Sequence, residues 1–190
     1  MKKMYVFAGN NGSGKSTYRS LILDQMDAEI HVDNDRITKN LKESSVKNYH
    51  LEAGRQTIQL INACIETGKN FSMETTLSGK LGLEQIKRAK QKGYFVTAYF
   101  ITLPDVFINM ERIRRRVADG GHDIPSDDVL RRKNRVIKNL KEIYSYLDVL
   151  QIIDNSALRP KLILEINQGK IKYRQNVLPK WIADLINKKY

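Results

Sequence analysis

Met4-Tyr5-Val6-Phe7-Ala8 is a short unbroken apolar run, the pattern of a strand buried on both faces. A glycine-rich stretch follows, and residues 18–26 then read as a helix. Ile30-His31-Val32 is a second short strand, ending in Asp33-Asn34-Asp35, and Arg36-Ile37 opens a polar connection. Leu51, Ile58, Ile61 and Ile65 recur at helical spacing, which predicts an amphipathic helix over roughly 48–67. Gly54 falls on the same stripe, where it would allow close packing, and Gly68 ends the helix. Residues 70–73 read as a third strand, ending in Glu74-Thr75-Thr76. A helix over 81–92 closes at Gly93, and residues 94–101 form a fourth strand.

Pro104-Asp105 starts another helix, running to about Val117, with Val106, Met110, Ile113 and Val117 on one face. The Gly120-Gly121 segment is a loop, and Ser126 is placed to cap a helix that runs to about Leu147. Residues 149–153 form a fifth strand, followed by Asp154-Asn155. Residues 162–166 and 170–174 read as a small hairpin, and 179–188 as a terminal helix. Strands separated by helices imply an α/β fold: a mostly parallel five-stranded sheet between helical layers, with right-handed crossovers. Ligands of such folds sit at the carboxyl ends of the strands. Asp33, Asp35, Glu74, Asp105 and Asp154 all follow strand ends and so share that rim.

The stretch after the first strand gives the rim its chemistry. Gly9-Asn10-Asn11-Gly12-Ser13-Gly14-Lys15-Ser16-Thr17 is a P-loop, in strand–loop–helix context. Glycines let the backbone N–H groups turn inward on a polyphosphate, and the new helix offers its positive end. Lys15 is expected to reach the β- and γ-phosphates, Ser16 to bind Mg²⁺ and Thr17 to meet a more distal phosphate. A P-loop specifies a nucleoside triphosphate and leaves the fate of its γ-phosphate open.

Composition narrows the class. The 190 residues are 41% hydrophobic and 28% charged, which fits a single globular domain over 1–190. Lys2 and Lys3 precede too short an apolar run for a signal peptide, and no run approaches the ~20 residues that span a bilayer. The single cysteine, Cys64, excludes an internal disulfide and a cysteine-rich metal site. A soluble cytoplasmic protein is expected. The net charge of +12 favours anionic partners: nucleotides, nucleic acid or an acidic protein.

Phosphorylation of a hydroxyl needs in-line positioning, neutralised charge and a carboxylate to take the proton. Asp35 and Glu74 are the best-placed acids, with a helix cap and a solvated strand end as their bland alternatives. Asp33 shares the cap reading, Asp105 is most simply an N-cap, and Asp154-Asn155 either borders the nucleotide base or turns the chain. Arg112, Arg114, Arg115 and Arg116 precede the glycine loop, and Arg131, Arg132 and Arg135 follow it. Two arginine-bearing helices joined by glycines suggest a lid over the triphosphate, at about 112–135. The rival is a nucleic-acid groove, as in a polynucleotide kinase or a binding NTPase. No aromatic platform interrupts the arginines to support it. A non-enzymatic nucleotide switch lacks its guanine motif, since Asn187-Lys188-Lys189 has no aspartate. Lone His122 reads as a loop hydrogen-bonder, and His31 and His50 receive no role.

Taken together, the P-loop, Val32-Asp33-Asn34-Asp35-Arg36-Ile37, Glu74-Thr75-Thr76-Leu77-Ser78-Gly79, Arg116-Val117, the 120–125 segment and Arg131-Arg132 resemble the zeta-toxin family of P-loop kinases. The match in order and spacing covers about 4–140. The resemblance implies an ATP- or GTP-dependent kinase with Mg²⁺, belonging to a toxin–antitoxin pair. In the best-known members the acceptor is a sugar hydroxyl of UDP-N-acetylglucosamine. By position, Asp35 matches the proton-accepting aspartate, Glu74 with Thr75 the acceptor side, and Arg116 and Arg132 the γ-phosphate arginines. Arg55 also matches a family position, with no role attached.

Overall fold

Alternation within the first strand decides which way the molecule is layered. In the computed structural model, which describes residues 1–121 and 123–187, strand β1 (Lys3–Ala8) sends Met4, Val6 and Ala8 to one face and Tyr5 and Phe7 to the other. His122 lies outside the described residues, as does Lys188, the expected end of the last helix. Beside β1 lie β3 (Phe71–Thr75) and β4 (Phe95–Thr102), both parallel to it. β2 (Ile30–Val32) flanks β3 and β5 (Val149–Asp154) flanks β4, so five strands run parallel, as expected.

The sheet has seven strands rather than five, in the order β2-β3-β1-β4-β5-β6-β7. The hairpin of β6 (Lys161–Asn167) and β7 (Lys170–Arg174) is not a separate appendage; it extends the sheet antiparallel to β5, with Leu150 opposite Ile166. Leu164 and Ile166 are buried by that pairing. The new edge, β7, is exposed throughout and carries Lys170, Lys172 and Arg174, charges that discourage strand-to-strand association.

Helices α3 (Tyr49–Thr67), α4 (Lys80–Gln91), α6 (Ser126–Ile143) and α7 (Lys180–Ile186) cover one face of the sheet. Ile61, Ile65, Ile86, Leu140, Ile143 and Leu185 pack there on Met4, Val6, Val96, Ala98 and Leu150. The opposite face is covered more sparsely, by α1 (Lys15–Ile22), whose Tyr18 and Ile22 sit over Tyr5, Phe7, Tyr99 and Ile101. A third cluster joins α5 (Val106–Ala118) to α6 through Val106, Met110, Ile113 and Val129.

Several local expectations are corrected. The segment after Asp33 is not a polar connection but helix α2 (Asn34–Glu43). Its only apolar residues, Ile37 and Leu41, form too thin a stripe to stand out, and Asp33 supplies the missing signal by capping it. Leu51 is 69% exposed, so the buried stripe of α3 runs through Ala53, Ile61, Cys64 and Ile65 instead. Gly54 does not serve close packing: a Cβ there would meet nothing within 4 Å. Ser126 is the first residue of α6 and makes no capping bond, because Pro125 occupies the cap position.

Candidate active site

The P-loop leaves β1 and enters α1 at Lys15, three residues earlier than apolar spacing implied. Lys15, Ser16 and Thr17 therefore form the first turn of the helix, where the N–H groups are unpaired and the dipole is positive. Gly14 has φ of 89°, and a Cβ there would lie 2.3 Å from Asn155 Nδ2. Only glycine fits this position, both for its dihedral and for its close neighbour.

Three asparagines hold the loop. Asn155 Nδ2 donates to Ser13 O at 2.9 Å, Asn109 Nδ2 donates to Asn11 O at 2.7 Å, and Asn10 Nδ2 donates to Val129 O at 3.0 Å. Asn155 itself is only 9% exposed, so it braces the loop from behind. Asp154, at the end of β5, accepts the Ser156 N–H at 2.8 Å, a turn-forming contact.

A cleft of about 1040 Å³ opens over the loop. Lys15, Ser16 and Thr17 line it from α1, Asp35 from the first turn of α2, and Glu74 with Thr75 from β3; Gly54 and Thr57 line it from α3, and Arg112 and Arg116 from α5. Pairing of Phe7 with Glu74 and of Ala8 with Thr75 puts the end of β3 directly beside the start of the P-loop. Arg112 and Arg116, four residues apart, share one face of α5. The fork of Arg112 also donates to Asn155 O at 2.7 Å.

The charges are closely interlocked. Ser16 Oγ donates to Glu74 Oε2 at 2.8 Å. Arg19, one turn further along α1, sets Nη1 2.9 Å from Glu74 Oε1 and Nη2 3.0 Å from Asp33 Oδ2. Burial pushes the Glu74 carboxyl above its ordinary range, against the opposing pull of Arg19 and Ser16. Burial likewise pushes the Lys15 ammonium below its ordinary range, resisted by Glu74 and Asp35. Lys15 Nζ donates to Asn10 O at 3.2 Å, within the loop.

The expected site residues divide as follows. Asp33 and Asp35 both line the cleft, but Asp33 is committed as the N-cap of α2, accepting from the N–H groups of Asp35 and Arg36. Thr75 Oγ1 accepts the Leu77 N–H at 2.9 Å and so shapes the turn after β3. Arg132 does not line the cleft; it docks on the outside of the P-loop, donating to Asn11 Oδ1 at 2.9 Å and to Asp128 Oδ2 at 3.0 Å. Arg131 pairs with Asp128, Arg115 with Glu111, and exposed Arg55 lies 3.9 Å from Glu52. Arg112, expected among the lid arginines, lines the cleft, and Asn155, expected to border the base or turn the chain, lines it too while bracing the loop. Arg19 and Asn109 carried no expectation as site residues; spacing offered a signal for Arg19, which lies three residues from Ser16.

Oxygen donors suited to Mg²⁺ are present, since the Ser16 hydroxyl and the Glu74 carboxylate meet at the cleft beside the phosphate cradle. Among the described residues, no group of three or more His, Cys, Asp or Glu side chains is placed to hold a metal ion by itself. No helix among the described residues is long and apolar enough to cross a membrane.

A central P-loop strand between two parallel neighbours, with acids at the rim and arginines across the cleft, defines a P-loop kinase, a phosphotransferase that uses a nucleotide donor. Comparison with known proteins then places the chain. Residues 1–162 match the zeta toxin family model, and the chain belongs to that family. An uncharacterized protein of Haemophilus influenzae is 38% identical over 127 residues, spanning 67% of this chain and 89% of its own. Two solved structures share the fold. One, from work on the PezAT chromosomal toxin–antitoxin system of Streptococcus pneumoniae, has a TM-score of 0.63 at 17% identity, covering 98% of this chain and 77% of that one. The other, AvrRxo1-ORF1:-ORF2 with ATP, has a TM-score of 0.68 at 14% identity, covering 90% of this chain and 60% of that one.

Proposed function

We propose that the chain, as one kinase domain over 1–190, transfers the γ-phosphate of ATP or GTP to a hydroxyl of a small molecule. UDP-N-acetylglucosamine is the acceptor we would test first. The observation that carries this reading is the single cleft in which Lys15, Ser16, Asp35, Glu74 and Arg116 converge. Phosphoryl transfer requires that set: a cation on the departing phosphate, an oxygen ligand for the metal, and a carboxylate for the acceptor proton.

In this mechanism the P-loop N–H groups and Lys15 grip the β- and γ-phosphates. Ser16 would hold Mg²⁺ with Glu74 beside it, and the ion would supply positive charge to offset that of the phosphates. Asp35 accepts the proton of the acceptor hydroxyl. Arg116, on the cleft, meets the γ-phosphate. Arg132 joins it once the 112–135 lid closes and its bond to Asn11 is exchanged for one to phosphate. Glu74 and Thr75 border the acceptor, and the open flank at Gly54 and Thr57 leaves room for a bulky one.

Membership of the zeta toxin family supports a cytoplasmic toxin held in check by an antitoxin. The basic surface, from a net charge of +12, suits an acidic partner. The test incubates bacterial extract with Mg·ATP and either wild-type or Asp35→Asn protein, and compares the metabolites by mass spectrometry. A phosphorylated sugar nucleotide formed only by the wild type is expected. A full screen without any new phosphate ester would overturn the kinase reading. Oligonucleotide binding whose affinity falls steeply with salt would favour a polynucleotide kinase instead.

A further inference from the structure

The acids of the cleft come from two separate βα units, yet one guanidinium touches both units. Arg19 Nη1 lies 2.9 Å from Glu74 Oε1 and its Nη2 lies 3.0 Å from Asp33 Oδ2. All three side chains are largely sheltered: 15% exposed for Arg19, 19% for Asp33 and 12% for Glu74. The other oxygen of each carboxylate is also bonded. Glu74 Oε2 accepts from Ser16 Oγ at 2.8 Å. Asp33 Oδ1 accepts from the backbone N–H of Asp35 at 3.0 Å and of Arg36 at 3.1 Å.

From this we infer that Arg19 is a positioning residue for phosphoryl transfer: it clamps Glu74 toward Ser16 and, through Asp33, fixes the first turn of α2 that presents Asp35. The inference rests on the kinase reading above. Arg19 does not line the cleft. Its effect therefore passes through the two acids and not through contact with nucleotide. Arginine suits the task because its rigid fork hydrogen-bonds Asp33 through Nη2 while holding Nη1 against Glu74 Oε1 as an ion contact outside hydrogen-bond geometry, whereas lysine presents a single point charge. The first turn of α1 belongs to the P-loop, so the same helix that cradles phosphate also sets the acceptor-side acids. A misplacement of about 1 Å in such a constellation costs roughly 100-fold in rate.

The test uses four single variants of the full chain, Arg19→Gln, Arg19→Lys, Glu74→Gln and Asp33→Asn, and two doubles. Asparagine keeps the helix cap while removing the charge, so Asp33→Asn isolates the ion pair. With Mg·ATP and UDP-N-acetylglucosamine, or the acceptor found in extract, Arg19→Gln should lose roughly 100-fold in kcat. Its dissociation constant for ATP in EDTA should stay unchanged, and Arg19→Lys should recover part of the loss. Combining Arg19→Gln with Glu74→Gln, and separately with Asp33→Asn, should give changes smaller than the sum of the singles. The same cycles read as thermal unfolding midpoints need no acceptor, and each should show non-additivity of about 2 °C or more. Additive midpoints for both pairs overturn the clamp whatever the activity. Coupled midpoints with full kcat in Arg19→Gln reduce Arg19 to a stabilising contact and also overturn it. A wild-type protein that phosphorylates nothing sinks the kinase reading, a result distinct from either.

Discussion

Ser16 Oγ donates a 2.8 Å hydrogen bond to Glu74 Oε2, although the two residues lie 58 positions apart. The bond exists because β3 pairs beside β1, which sets the end of one strand against the helix that leaves the other. On the proposed function, it marks where the hydroxyl that would hold the metal and the acid that would border the acceptor meet. Ser16→Ala should weaken Mg²⁺ dependence about tenfold or more. Binding of ATP in EDTA should be little changed, because the loop N–H groups remain. Mg²⁺ titrations followed with a fluorescent ATP analogue check both statements.

Asp35 faces the cleft from the start of α2. Asp35→Asn should therefore lower kcat by about 10²–10⁴ while leaving nucleotide affinity intact. Single-turnover assays beside calorimetric titration with ATP separate the two effects. An equal loss in both would move Asp35 from proton acceptor to nucleotide contact.

Burial around Lys15 favours its neutral amine. Because its folded pKa lies below the ordinary lysine value, the unfolded chain binds the proton more tightly. Keeping that proton in the folded state thus costs stability, and the cost is relieved as pH rises through the folded pKa toward the ordinary value. Lys15→Met should raise the unfolding midpoint of nucleotide-free protein at pH 7, with a gain that shrinks as pH approaches 10. The same variant should lose ATP binding. Thermal scans across pH, with and without nucleotide, decide it.

Asn155 braces the P-loop from the end of β5, and its amide is buried against Ser13 O. Asn155→Ala leaves that carbonyl unpaired and should cost about 1–3 kcal/mol in stability. Affinity for ATP should fall with it, since the cradle loses its support. Gly14→Ala should be worse on both counts, because it adds a clash with the Asn155 amide to a strained dihedral. Urea unfolding and ATP titration of the two variants rank them.

The sequence by itself determined the parts whose chemistry is local. The P-loop spells its own backbone: glycines where φ must be positive, then lysine and a hydroxyl on the first helical turn. The parallel strands, the positions of Asp35 and Glu74 at the rim, and the arginine helices were legible from periodicity. Helix α2 escaped because two apolar residues in ten leave no stripe, and the hairpin's place in the sheet escaped because strand pairing is non-local. Tertiary structure alone decided which charges meet. Arg19 faces Asp33 and Glu74 because β2, β3 and β1 stand side by side, and Arg132 reaches Asn11 because α6 packs against the loop. Spacing along a chain fixes which side of an element a residue occupies; strand order, set by burial of a whole sheet, fixes what lies across from it.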